Sequence, residues 1–193
     1  VLCAAGPPAF AYTLFDDGGG NPNERKWGQG GVTTVTYFVN TAVPAGVSLA
    51  QWEAVVDSAM TSWTDVSNAN LAYVDGGLTA LSFDLNDSQN TIAWDTDGTF
   101  PGGAGVLGFA SSSVFGSGFI AQTDIFMNGI DHSWTTTGAA GLFDVMNVMV
   151  HESGHMSGLQ HSPVRGSTMF PSATSIGSGG NDGTTSADSS LDD

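Results

Sequence analysis

His151-Glu-Ser-Gly-His-Met-Ser-Gly-Leu-Gln-His161 is the stretch from which the rest of the chain can be read. His151 and His155 stand one helical turn apart, so on a helix both imidazoles leave the same face. Glu152 lies on the adjacent face. Gly154 is a poor helix former, costing about 1 kcal/mol relative to Ala. Gly158 can take the positive φ that ends a helix, after which the chain can turn back and present His161. Three neutral imidazoles with one position left open make a catalytic zinc site rather than a closed structural one. Zinc would bring the pKa of a water in that position from about 16 toward 7, and Glu152 could take its proton. With 4 His and 27 Gly in 193 residues, chance placement of these five residues is on the order of a few per million chains. That sets aside the competing reading of satisfied histidines on a packed helix.

Immediately upstream, residues 139–157 carry Leu142, Phe143, Val145, Met146, Val148, Met149 and Val150 on nearly every face, so this predicted helix is buried centrally. Asp144 in its first turns complements the helix dipole. A second helix is predicted behind Ser48-Leu-Ala-Gln51, which fits a capping box. It carries Leu49, Trp52, Val56, Met60 and Trp63 at three- and four-residue steps and ends near Val66. Strands are predicted at residues 32–39, Leu71–Val74, Thr91–Trp94, Val106–Ala110 and Ala121–Met127, separated by Gly-rich loops. On residues alone this is a mostly antiparallel or mixed sheet. The fold class is α+β, with an irregular Gly/Ser/Asp-rich stretch after residue 158.

Length suits one domain. Nineteen acids face 3 bases, a net charge of −16, which excludes nucleic acid, since phosphate binding needs a basic stripe. It also argues against an anionic membrane surface, and no run approaches the ~20 apolar residues of a membrane helix. The single cysteine, Cys3, allows no internal disulfide. Residues 1–11 read as a signal-peptide remnant, with Ala9 and Ala11 in an A-x-A arrangement, or as an ordinary apolar lead-in; residues 12–193 are then the working domain.

The eleven-residue motif resembles that of the metzincin zinc metallopeptidases, and its surroundings resemble the matrixin branch, as in a matrix-metalloproteinase-like catalytic domain of microbial type. Ser162 follows the third histidine, and Met169 in Ser167-Thr-Met-Phe-Pro171 resembles the Met-turn beneath the metal. Pro171 stands where other branches carry a tyrosine. The resemblance implies a twisted mixed, mostly parallel sheet with two long helices and a small irregular lower subdomain. It implies a secreted endopeptidase, acting as a monomer on extended polypeptide, with zinc on His151, His155 and His161 and Glu152 as general base. Gly105–Ala110 resembles the edge strand that pairs with substrate, which makes Val106, Leu107, Gly108, Phe109 and Ala110 candidate contacts. Val148, Phe170 and Pro171 are candidate walls of an apolar primed-side pocket. Leu191–Asp193 resembles the start of a C-terminal helix, most of which is absent.

The chain also departs from the family. Histidines that hold a second, structural zinc in animal matrixins are replaced at positions including Gly108 and Phe126, so one zinc is expected. His132 reads as an exposed or capping histidine. Cys3 lies in no latency motif. Asp95-Thr-Asp97-Gly98 reads either as the opening of a calcium loop or as a solvated turn. The 177–183 segment has the same ambiguity, and Asp124 is a further calcium ligand or a structural carboxylate. The rival function is a non-catalytic secreted zinc- or calcium-binding module on the same fold.

Overall fold

A computed structural model describes residues 26–28, 31–67, 69–116, 118–173, 175 and 176. The lead-in with Cys3, the 177–183 segment and Leu191–Asp193 lie outside the described residues.

Five strands form one sheet in the order β2-β1-β3-β5-β4. They are β1 (Thr33–Asn40), β2 (Leu71–Thr79), β3 (Asn90–Asp95), β4 (Gly108–Val114) and β5 (Ile120–Asn128). All neighbours are parallel except β4, which runs antiparallel to β5. Of the two arrangements that loop composition leaves open, antiparallel or mixed, the structure has the mixed one, mostly parallel as the family resemblance implies. Helix α1 (Leu49–Thr64) links β1 to β2, and a helical crossover of that length returns the chain parallel. Only the hairpin from β4 to β5 is short enough to reverse it. Strand β3 shows the continuous burial of a parallel strand covered on both faces, with Thr91 to Asp95 all inaccessible.

Ser48 caps α1: its hydroxyl accepts from Gln51 N–H at 3.3 Å, and the Gln51 amide oxygen takes Ser48 N–H at 2.9 Å. Trp52, Val56, Ala59, Met60 and Trp63 form its buried stripe. The second helix, α2 (Val145–Met156), is shorter than the 139–157 span expected from apolarity. Asp144 is its N-cap rather than a first-turn residue, its carboxylate accepting from Asn147 N–H at 3.1 Å. The residues just before it instead form β7 (Phe143–Asp144), which pairs with β6 (Trp134–Thr135). The apolar pattern could not separate this short extended piece from the helix behind it. The core lies between the helices and the sheet, where Trp94 packs between Trp52 and Trp134 at 4.9 and 5.0 Å.

The opposite face of β4 and β5 is covered by loops. Phe83, from the β2–β3 connection, and Phe100, from the β3–β4 connection, pack on Phe109 and Phe126, with ring centroids 5.2–5.7 Å apart across the four loop-to-strand pairs. No helix of the described residues is long and apolar enough to cross a membrane.

Candidate metal and peptide-binding site

The sheet order leaves β4 at an edge, and α2 lies beside it. Adjacent faces of α2 carry His151 with His155, and Glu152. The helix stops where expected: Gly158 takes φ +97° and its N–H reaches the His155 carbonyl at 2.9 Å. The chain then doubles back to His161. Potential ligand atoms of the three histidines lie within 4.8 Å of one another, the one such group of three or more among the described residues.

Each ring is aimed by its surroundings. His151 Nδ1 lies 2.8 Å from the Thr168 carbonyl and His155 Nδ1 lies 2.7 Å from the Leu159 carbonyl. A carbonyl only accepts, so Nδ1 carries the proton and Nε2 keeps its lone pair. Burial, then the neighbouring His155 ring, pushes the His151 pKa down to about 4, against the Thr168 hydrogen bond. Burial also lowers His155 and His161. Three neutral, convergent nitrogens fit a borderline-soft divalent cation such as zinc, and the carbonyls behind two of them are the outer partners that fix ligand rings.

Glu152 is 5 % exposed, and burial pushes its carboxyl up to about 8 while the Ala110 N–H pulls it down. Its Oε2 is buried with no hydrogen-bond partner. A carboxyl held by the edge strand on one side, with an unengaged oxygen on the other, is placed to exchange a proton.

Met169 is 2 % exposed and passes beneath α2. Ser162 N–H bonds the Met169 carbonyl at 2.7 Å, tying the third histidine's segment to this turn. Gly154 makes the passage possible: a Cβ there would collide with Met169 Sδ and come within 2.7 Å of Trp63 Cζ2.

Two hollows flank the histidines. One of about 410 Å³ is lined by Val106, Leu107 and Gly108 above and by Val148, Phe170 and Pro171 below, with His151 and Glu152 between. The other, about 490 Å³, is bounded by Val106, Gly108, Phe109 and Ala110 together with His155 and His161. Every substrate-contact residue expected from the sequence therefore lies on one hollow or both. The edge strand differs in extent, running Gly108–Val114 rather than 106–110; Val106 and Leu107 precede it.

Asp95 Oδ1 accepts from the N–H groups of Gly98 and Thr99, each at 2.9 Å. Asp97 Oδ1 takes the Thr99 hydroxyl at 2.8 Å. Asp124 accepts the Thr91 and Asp84 N–H groups, each at 2.9 Å. These are the bonds of a turn and of a structural carboxylate. His132, expected to be exposed or capping, is half-buried on the wall of the 410 Å³ hollow beside Asn147. The sequence carried no periodic or motif signal for either residue.

A sheet with an antiparallel edge strand, two helices and a histidine triangle over a methionine turn defines a metzincin-type α+β domain. Residues 26–187 match the family model described as matrixin, and the chain belongs to that family. It is 30% identical over 175 residues to the metalloendoproteinase 2-MMP of Arabidopsis thaliana, covering 84% of this chain and 39% of that protein. It is 26% identical over 175 residues to karilysin of Tannerella forsythia, covering 86% of this chain and 34% of that protein. Against human neutrophil collagenase the identity is 28% over 158 residues, covering 80% of this chain and 31% of the relative. The chain thus spans between about three and four tenths of these curated relatives.

Proposed function

We propose that this chain is the catalytic domain of a secreted zinc-dependent endopeptidase, with residues 12–193 as one working unit. The observation that carries the reading is the convergence of His151, His155 and His161 beside the unengaged Oε2 of Glu152. Nε2 of each histidine would hold the metal. When bound, zinc supplies Lewis acidity that makes water nucleophilic near neutral pH and polarises a carbonyl. Everything else is done by the protein. The edge of β4 and the segment before it align an extended peptide by main-chain hydrogen bonds. Val148, Phe170 and Pro171 receive the side chain that follows the scissile bond, an apolar one. Glu152 takes a proton at Oε2 from the attacking water and passes it to the leaving amine. The sheltered carboxyl keeps bulk water from competing for that proton. Family membership and the named relatives support the reaction class; the residue roles rest on the geometry.

The test is cleavage of casein or gelatin by the purified chain, with and without chelator, beside Glu152→Ala. Chelator-sensitive cleavage that Glu152→Ala reduces by at least 100-fold supports the reading. One equivalent of bound zinc with no cleavage would show a metal-binding module instead.

A further inference from the structure

Of the two residues that precede β4, Leu107 continues the strand register through one backbone bond, while the carbonyl of Val106 is held by side chains. The Val106 carbonyl accepts from Asn128 Nδ2 at 3.1 Å and lies 3.2 Å from His132 Nε2. The adjacent Leu107 carbonyl accepts from Asn128 N–H at 2.9 Å. Consecutive carbonyls of a regular strand point to opposite sides, so a Val106 carbonyl turned to the same side as that of Leu107 means that the chain leaves the ladder at Val106. Asn128 is fully buried and spends its whole amide locally: Oδ1 takes Asp131 N–H at 3.0 Å, and Nδ2 also reaches Asp131 Oδ2 at 3.0 Å. Its own carbonyl accepts Trp134 Nε1 at 2.9 Å. The His132 ring stands edge-on to Phe143, with centroids 5.2 Å apart. One imidazole therefore joins Val106 on the upper rim to Phe143, two residues before α2, and all three line the 410 Å³ hollow.

We propose that Asn128 and His132 are positioning residues that carry the substrate-binding edge two residues past the end of β4. The substrate class that benefits is polypeptide continuing two or three residues beyond the scissile bond, as opposed to short peptides or free C-terminal residues. This rests on the peptidase reading above. A peptide residue next to the scissile bond is served by Gly108–Ala110 and the pocket walls, which the ladder and α2 hold independently. Residues further along meet the 105–107 segment, whose height His132 and Asn128 set.

The experiment uses fluorogenic peptides with one fixed unprimed half and primed halves of one, two and three residues. In the unsubstituted chain, kcat/KM rises with primed length. His132→Leu keeps the apolar contact with Phe143 and removes the ring nitrogen. It is expected to lower kcat/KM for the three-residue peptide by about fivefold, mostly through KM, and to leave the one-residue peptide within about twofold. His132→Gln, which restores a side-chain N–H near that point, is expected to recover the length dependence. A melting curve and zinc content matching the unsubstituted chain confirm that the fold is kept. If His132→Leu slows all lengths equally, or none, the positioning role is overturned. If His132→Leu does not fold, His132→Gln alone decides, since loss of length dependence there also overturns the proposal. Absence of cleavage of any peptide by the unsubstituted chain would refute the peptidase reading itself.

Discussion

Replacing Gly154 by Ala puts two opposing terms into one methyl group. On an exposed helix face the substitution stabilises by about 1 kcal/mol, because glycine loses more backbone freedom on folding. Here the added Cβ would overlap Met169 Sδ and lie 2.7 Å from Trp63 Cζ2. Neither neighbour moves freely. The Trp63 indole N–H is shared between the Val150 carbonyl at 3.0 Å and Ser153 Oγ at 2.9 Å. The Met169 backbone is tied to Ser162 at 2.7 Å. Overpacking against such neighbours costs about 3 kcal/mol, so the net is a loss of about 2 kcal/mol. For a domain of this size that lowers Tm by roughly 4–8 °C. Thr168, whose carbonyl orients His151, precedes Met169, so displacement of the turn also tilts a ring of the proposed metal site. Thermal denaturation followed by circular dichroism, with a parallel zinc titration, measures both effects. A Tm that rises, with zinc affinity unchanged, would refute the packing argument and leave only helix propensity.

Three further outcomes are expected. Ser48→Ala removes the capping box of α1 and lowers stability by about 1 kcal/mol, measured by urea unfolding, with specific activity unchanged because no residue of α1 lines the cleft. Asp124 is fully buried, and burial pushes its pKa up to about 6, against the Thr91 and Asp84 N–H bonds. A carboxyl raised in the folded state favours folding while protonated, so stability falls as pH rises from about 4 through 6 and is flat above. Asp124→Asn removes that part of the slope, roughly 2 kcal/mol across the window, which urea midpoints at pH 4 and pH 7 would reveal by comparison with the unsubstituted chain. Gly108→Ala places a methyl 2.9 Å from Met127 Sδ and 3.6 Å from Glu152 Cγ. Because the far end of Met127 can shift and the Glu152 contact is an ordinary one, stability by urea unfolding is expected to change by less than about 1 kcal/mol and kcat by less than about threefold.

The helix carrying the histidines and the capping box of α1 were legible because each rests on local spacing, while the methionine turn was legible only through the family resemblance. Four-residue steps, a Ser-x-x-Gln pair and a glycine at the right offset are all properties of neighbours in sequence. Direction in the sheet was less legible, since parallel pairing depends on the α1 crossover and not on composition. The boundary at Asp144 was obscured because Phe143 is apolar in both a short strand and a helix. Asn128 and His132 were invisible as partners of Val106, more than twenty residues away, because hydrogen bonds of that reach leave no trace in a single sequence.

The four phenylalanine rings on the outer face of β4 and β5 have a consequence for temperature. Apolar packing weakens on cooling, because the water released from such surfaces gains less entropy in the cold. The loops that cover the edge strand are fastened largely in this way, with Asp84 and Ser88 adding bonds to Asp124 and Gln122, whereas the histidine rings are aimed by polar bonds to carbonyls. Chilling should therefore loosen the roof of the cleft before it disturbs the floor. An enzyme built on this frame would lose its grip on substrate at low temperature while keeping its catalytic groups in register.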